Sequence, residues 1–416
     1  MRVSVRRNRP SHTINRNYPY PADVRICLIS YEFLPKTGFG GAAALYTDLS
    51  TALQALGHDV TVLSGNDRHG LNTETNRGFT NIQFGYKRLR PRPLACATRT
   101  ARVLHHFKRA EKMSGSFDVI DSPELEAEPF LINAIHKTCP VVTRLVTPHF
   151  LFRRMNHTRP IRSVEWLERE NAFLSDLILG DAKAWAEDIL RDWRLDRSKL
   201  RICPLGISLE RIDKVTDVPI DIEQPYILFA GRLTLAKGPQ VLSAAASEIM
   251  KEHPDVRIVF AGADTLTESG ESVREIVRNA APRSVQDSFV FKGFVNSWDE
   301  LVNLYRNATI CVKADVYTNH SYDTMGQLAC GRPMVCTNTE AHADMIENGK
   351  NGFLFERERP HQLAEFVDLL LSDPALCRTI GMRARRTIEQ RFTSEICASE
   401  TVKYYKEAMS QSKSSV

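Results

Sequence analysis

The chain has 416 residues, 43% hydrophobic and 25% charged, with a net charge of +5. That length holds two domains of ordinary size, and no apolar run reaches the ~20 residues that span a bilayer. Its nine cysteines are scattered and never spaced Cys-x-x-Cys, which argues against metal or disulfide frameworks and for a reducing cytoplasm.

Residues 1–22 carry Arg2, Arg6, Arg7, Arg9 and Arg16 with no acid before Asp23 and no apolar core behind them. The segment reads as a disordered basic arm, with an organelle transit peptide as the other reading. Val24–Ser30 is a buried-strand pattern, and Leu45, Leu49, Ala52, Leu53 and Leu56 mark one face of a helix that Gly57-His58 ends. Between Lys87 and Lys112 nine cations stand against Glu111 alone, and Arg153, Arg154, Arg159 and Arg162 extend the bias. Such a surface suits anionic lipid or a phosphorylated acceptor, or is simply solvated. The row lacks interleaved aromatics and any nucleic-acid motif, so nucleic acid is not expected. Strand patterns at 119–120, 141–142 and 177–179 and a helical stretch at 163–174 complete a first domain, 23–212. Asp213–Gln224 reads as a linker. The rhythm restarts with strands at 226–229, 256–260, 289–291, 310–312 and 333–336. Helices are expected at 240–250, from a Ser297/Glu300 capping box to Arg306, and near 323–330. Residues 225–392 form the second domain, and a helix and tail at 393–416 either end there or cross back to the first. The fold class is α/β, with two Rossmann-like doubly wound domains facing an interdomain cleft.

Ala230-Gly-Arg-Leu-Thr-Leu-Ala-Lys-Gly238 joins the strand at 226–229 to the helix at 240–250. A glycine-flanked turn there gathers backbone N–H groups and a positive helix end, and Arg232 and Lys237 add two cations. Either this receives a diphosphate, or the two are solvated loop charges. Gly40 and Gly41 let the first domain's backbone approach a ligand closely. No Gly-x-Gly-x-x-Gly follows the first strand with an acid ending the second, which argues against a dehydrogenase.

The order of these pieces carries a resemblance. Pro35 to Gly41, Gly57-His-Asp-Val60, Pro204-Leu-Gly-Ile207, Gly231-Arg-Leu-Thr-Leu-Ala-Lys-Gly238, Ala261-Gly262, Gly293-Phe294, Leu328-Ala-Cys-Gly-Arg-Pro333 and Asn348-Gly-Lys-Asn-Gly-Phe353 resemble the retaining family 4 glycosyltransferases of the GT-B fold. The resemblance implies transfer of a sugar from a UDP- or GDP-linked donor to a saccharide, lipid-linked or small-molecule acceptor. It implies retention of configuration, with no metal and no cofactor. Arg232 and Lys237 would stabilise the leaving diphosphate, and Gly40, Gly41, Gly231, Thr324, Met325 and Gly326 would lie near the donor. The protein would be cytoplasmic, either free or peripheral at the inner face of the membrane.

The chain departs from the family's Glu-x7-Glu, since Thr318 and Gly326 stand at those positions. Asp323, one turn earlier, is the candidate substitute. The family's histidine after Arg-Leu falls on Val146, with His149 three residues on, and Glu124 is a candidate acceptor contact. The alternative is a catalytically degenerate paralogue acting as a binding or partner subunit. A sugar-nucleotide epimerase or hydrolase on the same fold is a third reading.

Overall fold

The computed structural model describes residues 24–33, 40–66, 71–76, 79–85, 92–156 and 158–414. The expected basic arm, residues 35–39 of the glycine loop, and Lys87, Arg88 and Arg90 lie outside the described residues.

The apolar runs become strands buried on both faces. In the N-terminal lobe β1 (Arg25–Ser30), β2 (Asp59–Asn66), β3 (Leu71–Asn76), β4 (Phe79–Gly85), β5 (Val119–Pro123), β6 (Val141–Arg144), β7 (Leu177–Gly180) and β8 (Leu200–Ile202) form one sheet, ordered β3-β4-β2-β1-β5-β6-β7-β8. Its pairs are parallel except β3 with β4. That pair is not expected from sequence, because Leu-Asn-Thr-Glu-Thr-Asn offers no apolar face and sits at the sheet edge, where pairing rather than burial defines it.

In the C-terminal lobe β9 (Tyr226–Ala230), β10 (Arg257–Ala261), β11 (Phe289–Gly293), β12 (Ile310–Lys313), β13 (Met334–Thr337) and β14 (Phe353–Phe355) form an all-parallel sheet ordered β11-β10-β9-β12-β13-β14. The strand order reverses beside β1 in one sheet and beside β9 in the other. Ligands of doubly wound sheets sit beyond the strand ends at such points. Gly40 follows β1 and Gly231 follows β9, so both glycine turns stand at these reversals.

Local signals hold where they are strong. Ser297 Oγ accepts the Glu300 N–H at 3.3 Å, and Asp373 Oδ1 accepts the N–H groups of Ala375 and Leu376 at 2.9 Å. The last helix, Ser394–Ser414, lies against helix Gly41–Ala55 of the N-terminal lobe. Tyr405 donates its hydroxyl to Asp121 at 2.7 Å, and Arg201 pairs with Glu407. The main apolar core is continuous through both lobes, from Val24 and Leu45 to Tyr226 and Met325.

Candidate active site

β9 ends at Gly231, whose φ of +142° no side chain adopts comfortably. Its N–H is held by Ala261 O at 2.9 Å. A short 3-10 turn, Leu235–Lys237, then leads to Gly238 at φ +67°, where a Cβ would lie 2.0 Å from Ala314 O. Both glycines are required by the backbone, and the helix Pro239–Glu252 starts directly behind the turn. Arg232 is exposed and reaches across the cleft, its guanidinium 5.0 Å from the ring centroid of Phe152 in the opposite lobe.

Lys237 is held differently. Its Nζ lies 2.6 Å from Oδ1 of Asp315, a carboxylate with no exposed side-chain surface. Burial pushes the Asp315 carboxyl up, but Lys237, Lys313 and His342 together outweigh that and hold it below its ordinary value. His342 is fully buried, its Nε2 3.7 Å from Asp315 Oδ2 and its Nδ1 2.9 Å from Thr337 O. Burial lowers its pKa to about 4, so the ring is neutral at pH 7.

Lys313, also fully buried, donates to Ala230 O at 2.7 Å and stands 3.7 Å from Asp323. It therefore ties the end of β9 to the start of helix Tyr322–Ala329. Asp323 is partly exposed and stands near the buried Tyr305, whose hydroxyl burial and the Asp323 charge push above its ordinary pKa. A Cβ on Gly326 would stand 3.0 Å from Cε2 of that Tyr305 ring, so the ring packs where a larger residue would begin. Asp323 Oδ2 would in turn lie 3.5 Å from a Cβ on Gly231, which puts the carboxylate beside the turn.

Five of the expected site residues, Thr324, Met325, Gly326, Glu124 and His149, are buried. Met325 is wholly buried in the main core, so any donor contact there runs through the backbone. Thr324 is equally buried, its Oγ1 without a hydrogen-bond partner among the described residues. Gly326 faces Tyr305, inside the lobe. Glu124, expected toward the acceptor, is fully buried. Its carboxylate accepts the N–H groups of Val146 and Thr147 at 2.7 and 2.6 Å, bracing the loop that leads to His149. Burial raises its pKa to about 8.

His149 opens helix His149–Met155 and is itself buried, its N–H donated to Glu168 at 2.8 Å. One turn on, the same helix presents Phe152 to Arg232. Gly40 is the N-cap of helix Gly41–Ala55, and a Cβ on Gly41 would touch Tyr322 of the other lobe at 3.7 Å. Tyr322 donates to Asp48 at 2.6 Å and to Gly206 O at 2.8 Å, closing this side of the cleft.

Thr318 is almost wholly buried, and its neighbour Asn319 donates to Val146 O at 2.8 Å and Asp181 at 3.0 Å. The Tyr317 hydroxyl meets Asp188 at 3.0 Å. The loop around Thr318 thus stitches the lobes together. Sequence reading missed Asp315, Tyr305, Phe152 and Asn319. One signal was present: Lys313 and Asp315 directly follow the apolar run Ile310-Cys-Val312, and charges at a buried strand end need partners.

The two Rossmann-like lobes define a GT-B architecture, and known proteins of that architecture resemble this chain. Residues 39–211 match the description "Glycosyltransferase Family 4" and residues 211–387 match "Glycosyl transferases group 1". The chain is 30% identical to spore coat protein SA of Bacillus subtilis over 406 residues, covering 92% of this chain and 99% of that protein. Among solved structures it resembles a sucrose-phosphate synthase from Thermosynechococcus elongatus, with TM-score 0.73, 20% identity and coverage of 94% and 100%. It also resembles Anabaena HepE in complex with UDP-glucose, with TM-score 0.66, 16% identity and coverage of 94% and 99%. The chain belongs to the family 4, group 1 glycosyltransferases.

Proposed function

We propose that this protein transfers a hexose-type sugar from a UDP- or GDP-linked donor to a saccharide, lipid-linked or small-molecule acceptor, with retention and without a metal. The observation that carries the reading is the turn Gly231–Gly238 at the β9 reversal, with Arg232 standing in the cleft and Lys237 fixed beside it. The UDP-glucose bound by the Anabaena relative supports a nucleotide-sugar donor. In transfer the anomeric C–O bond breaks and the diphosphate leaves with the electron pair. The acceptor oxygen bonds the anomeric carbon on the same face and passes its proton to the departing phosphate oxygen. Arg232, Lys237 and the helix start behind Gly238 stabilise the charge that grows on the leaving group. Asp323, standing by Tyr305 and Lys313, accepts a donor hydroxyl from beside Gly231. On the facing side the buried His149 starts the helix that presents Phe152, and acts there through that helix. The reaction takes place in the cytoplasm.

The test is a panel of UDP-, GDP-, ADP- and dTDP-sugars, read by thermal shift and by product. Stabilisation by one diphosphate, with slow donor hydrolysis in chelator, supports the transferase. A second reading, a partner subunit without turnover, is favoured by the Asn319 contacts that join the lobes where a carboxylate is missing. Diphosphate binding with no hydrolysis and no transfer to acceptor extracts would select it.

A further inference from the structure

In the N-terminal lobe the described large apolar side chains left exposed are Leu94, Met113, Ile135, Trp166 and Phe173. All lie on three helices, Arg92–Ser114, Phe130–Ile135 and Arg162–Leu174, which pack side by side over one face of the sheet. Scattered exposed apolar residues need no explanation, but their confinement to a single face does. On the third helix Arg162, Trp166, Arg169 and Phe173 form one outer stripe in which cation and aromatic ring alternate. The buried side of that helix carries Glu168, which accepts the N–H groups of Glu126 and His149. One helix therefore has a solvent stripe and a face that braces the cleft.

The charge on this face has one sign. Lys108, Arg109, Lys112, Arg162 and Arg169 are exposed, whereas no Asp or Glu among the described residues of these helices is fully exposed. Glu111 is taken by His136 and Thr138, and Glu165 and Glu170 are half-buried, the latter 3.2 Å from Arg169. We propose that this face docks on an anionic lipid bilayer. Trp166 and Phe173 settle at headgroup depth while Arg162 and Arg169 of the same stripe reach lipid phosphates. Each cation near such a surface adds about fivefold to binding. A second copy of this chain is disfavoured, because a two-fold pairing would set the same cations against one another. Nucleic acid could stack on Trp166 and Phe173 but would leave the exposed aliphatic Leu94, Met113 and Ile135 of the same face without a partner, which a bilayer supplies. The inference goes beyond sugar transfer and needs no donor chemistry.

The experiment sediments the full chain with phosphatidylcholine vesicles, with and without phosphatidylglycerol. Two double variants, Arg162→Glu/Arg169→Glu and Trp166→Ala/Phe173→Ala, change exposed side chains only, and circular dichroism checks their fold. Binding is expected only with phosphatidylglycerol, weakened by salt and by at least about tenfold in the charge-reversed variant. Tryptophan emission should shift to the blue on binding, and Trp166→Phe should abolish that shift. The proposal is overturned by any one of three results: no sedimentation with anionic vesicles, equal sedimentation of all the proteins, or a preference for RNA. A dimer that Trp166→Ala dissolves also overturns it, in favour of a second copy. A melting shift with UDP, unchanged in both double variants, keeps this outcome separate from the transferase reading.

Discussion

The Arg232 guanidinium lies 5.0 Å from the ring centroid of Phe152, and the two residues belong to opposite lobes. A cation on an exposed turn is thereby held in the cleft before any ligand arrives. Contacts of this kind contribute about 0.5–1 kcal/mol at exposed sites. Arg232→Ala should lower the transfer rate by about 10²–10³-fold. Phe152→Ala should cost only about two- to fivefold, the equivalent of the lost ring contact. Single-turnover assays measure both, and an unchanged rate in Arg232→Ala would remove the leaving-group role.

Lys237 and Asp315 are bound to one another, so neither behaves as a free charge. Lys237→Met leaves a buried carboxylate without its nearest cation and should destabilise the fold by about 3 kcal/mol, the lower end for a broken buried pair because Lys237 keeps some exposure. Adding Asp315→Asn should restore most of that stability while activity stays low. Urea unfolding of the two singles and the double variant completes the cycle. Additive losses would mean that the pair is not coupled.

Glu124 should shape stability at neutral pH. Its folded pKa of about 8 is above the ordinary 4.5, so the folded state keeps a proton that the unfolded chain has lost. The stabilisation is complete below about pH 4.5 and falls as pH rises toward 8. Glu124→Gln should reduce the fall in stability across that window without abolishing it, since burial also raises the Glu128 and Asp181 carboxyls to about 7 and about 6, and one of the two loop N–H groups then loses its acceptor. On the acid side the sign reverses. The lowered values at Asp315 and His342 favour the folded state at neutral pH, and His342's share is lost between about pH 6.5 and 4. Denaturant midpoints measured from pH 4 to 8 test both limbs.

Asp323→Asn should raise the KM for the nucleotide sugar by about 10–100-fold, the worth of one hydrogen bond to a charged group. Gly326→Glu should not substitute for it. Its Cβ meets the Tyr305 ring at 3.0 Å, and crowding of this kind costs about 1–3 kcal/mol. A stable, more active Gly326→Glu protein would show that Tyr305 yields and that the local register was misread.

Much of the frame is legible in one dimension. Val24–Ser30 and Tyr226–Phe229 are apolar runs that can only be central strands, and glycine turns follow where those strands end. The doubly wound α/β class and the candidate cations Arg232 and Lys237 follow from such local patterns. That Glu124 and Met325 are buried is not legible in sequence, because a side chain's direction from a loop or helix start depends on what the rest of the fold packs against it.

The order of residues alone determined two doubly wound lobes and a cationic turn between a strand and a helix, because periodicity and backbone requirements act over a few neighbours. Only the tertiary structure decided that Lys237 is neutralised by Asp315, that Arg232 leans on Phe152, and that Tyr305 fills the space beside Gly326. Those pairings join residues some tens of positions apart, and burial strengthens a charge interaction only once the chain has closed around it.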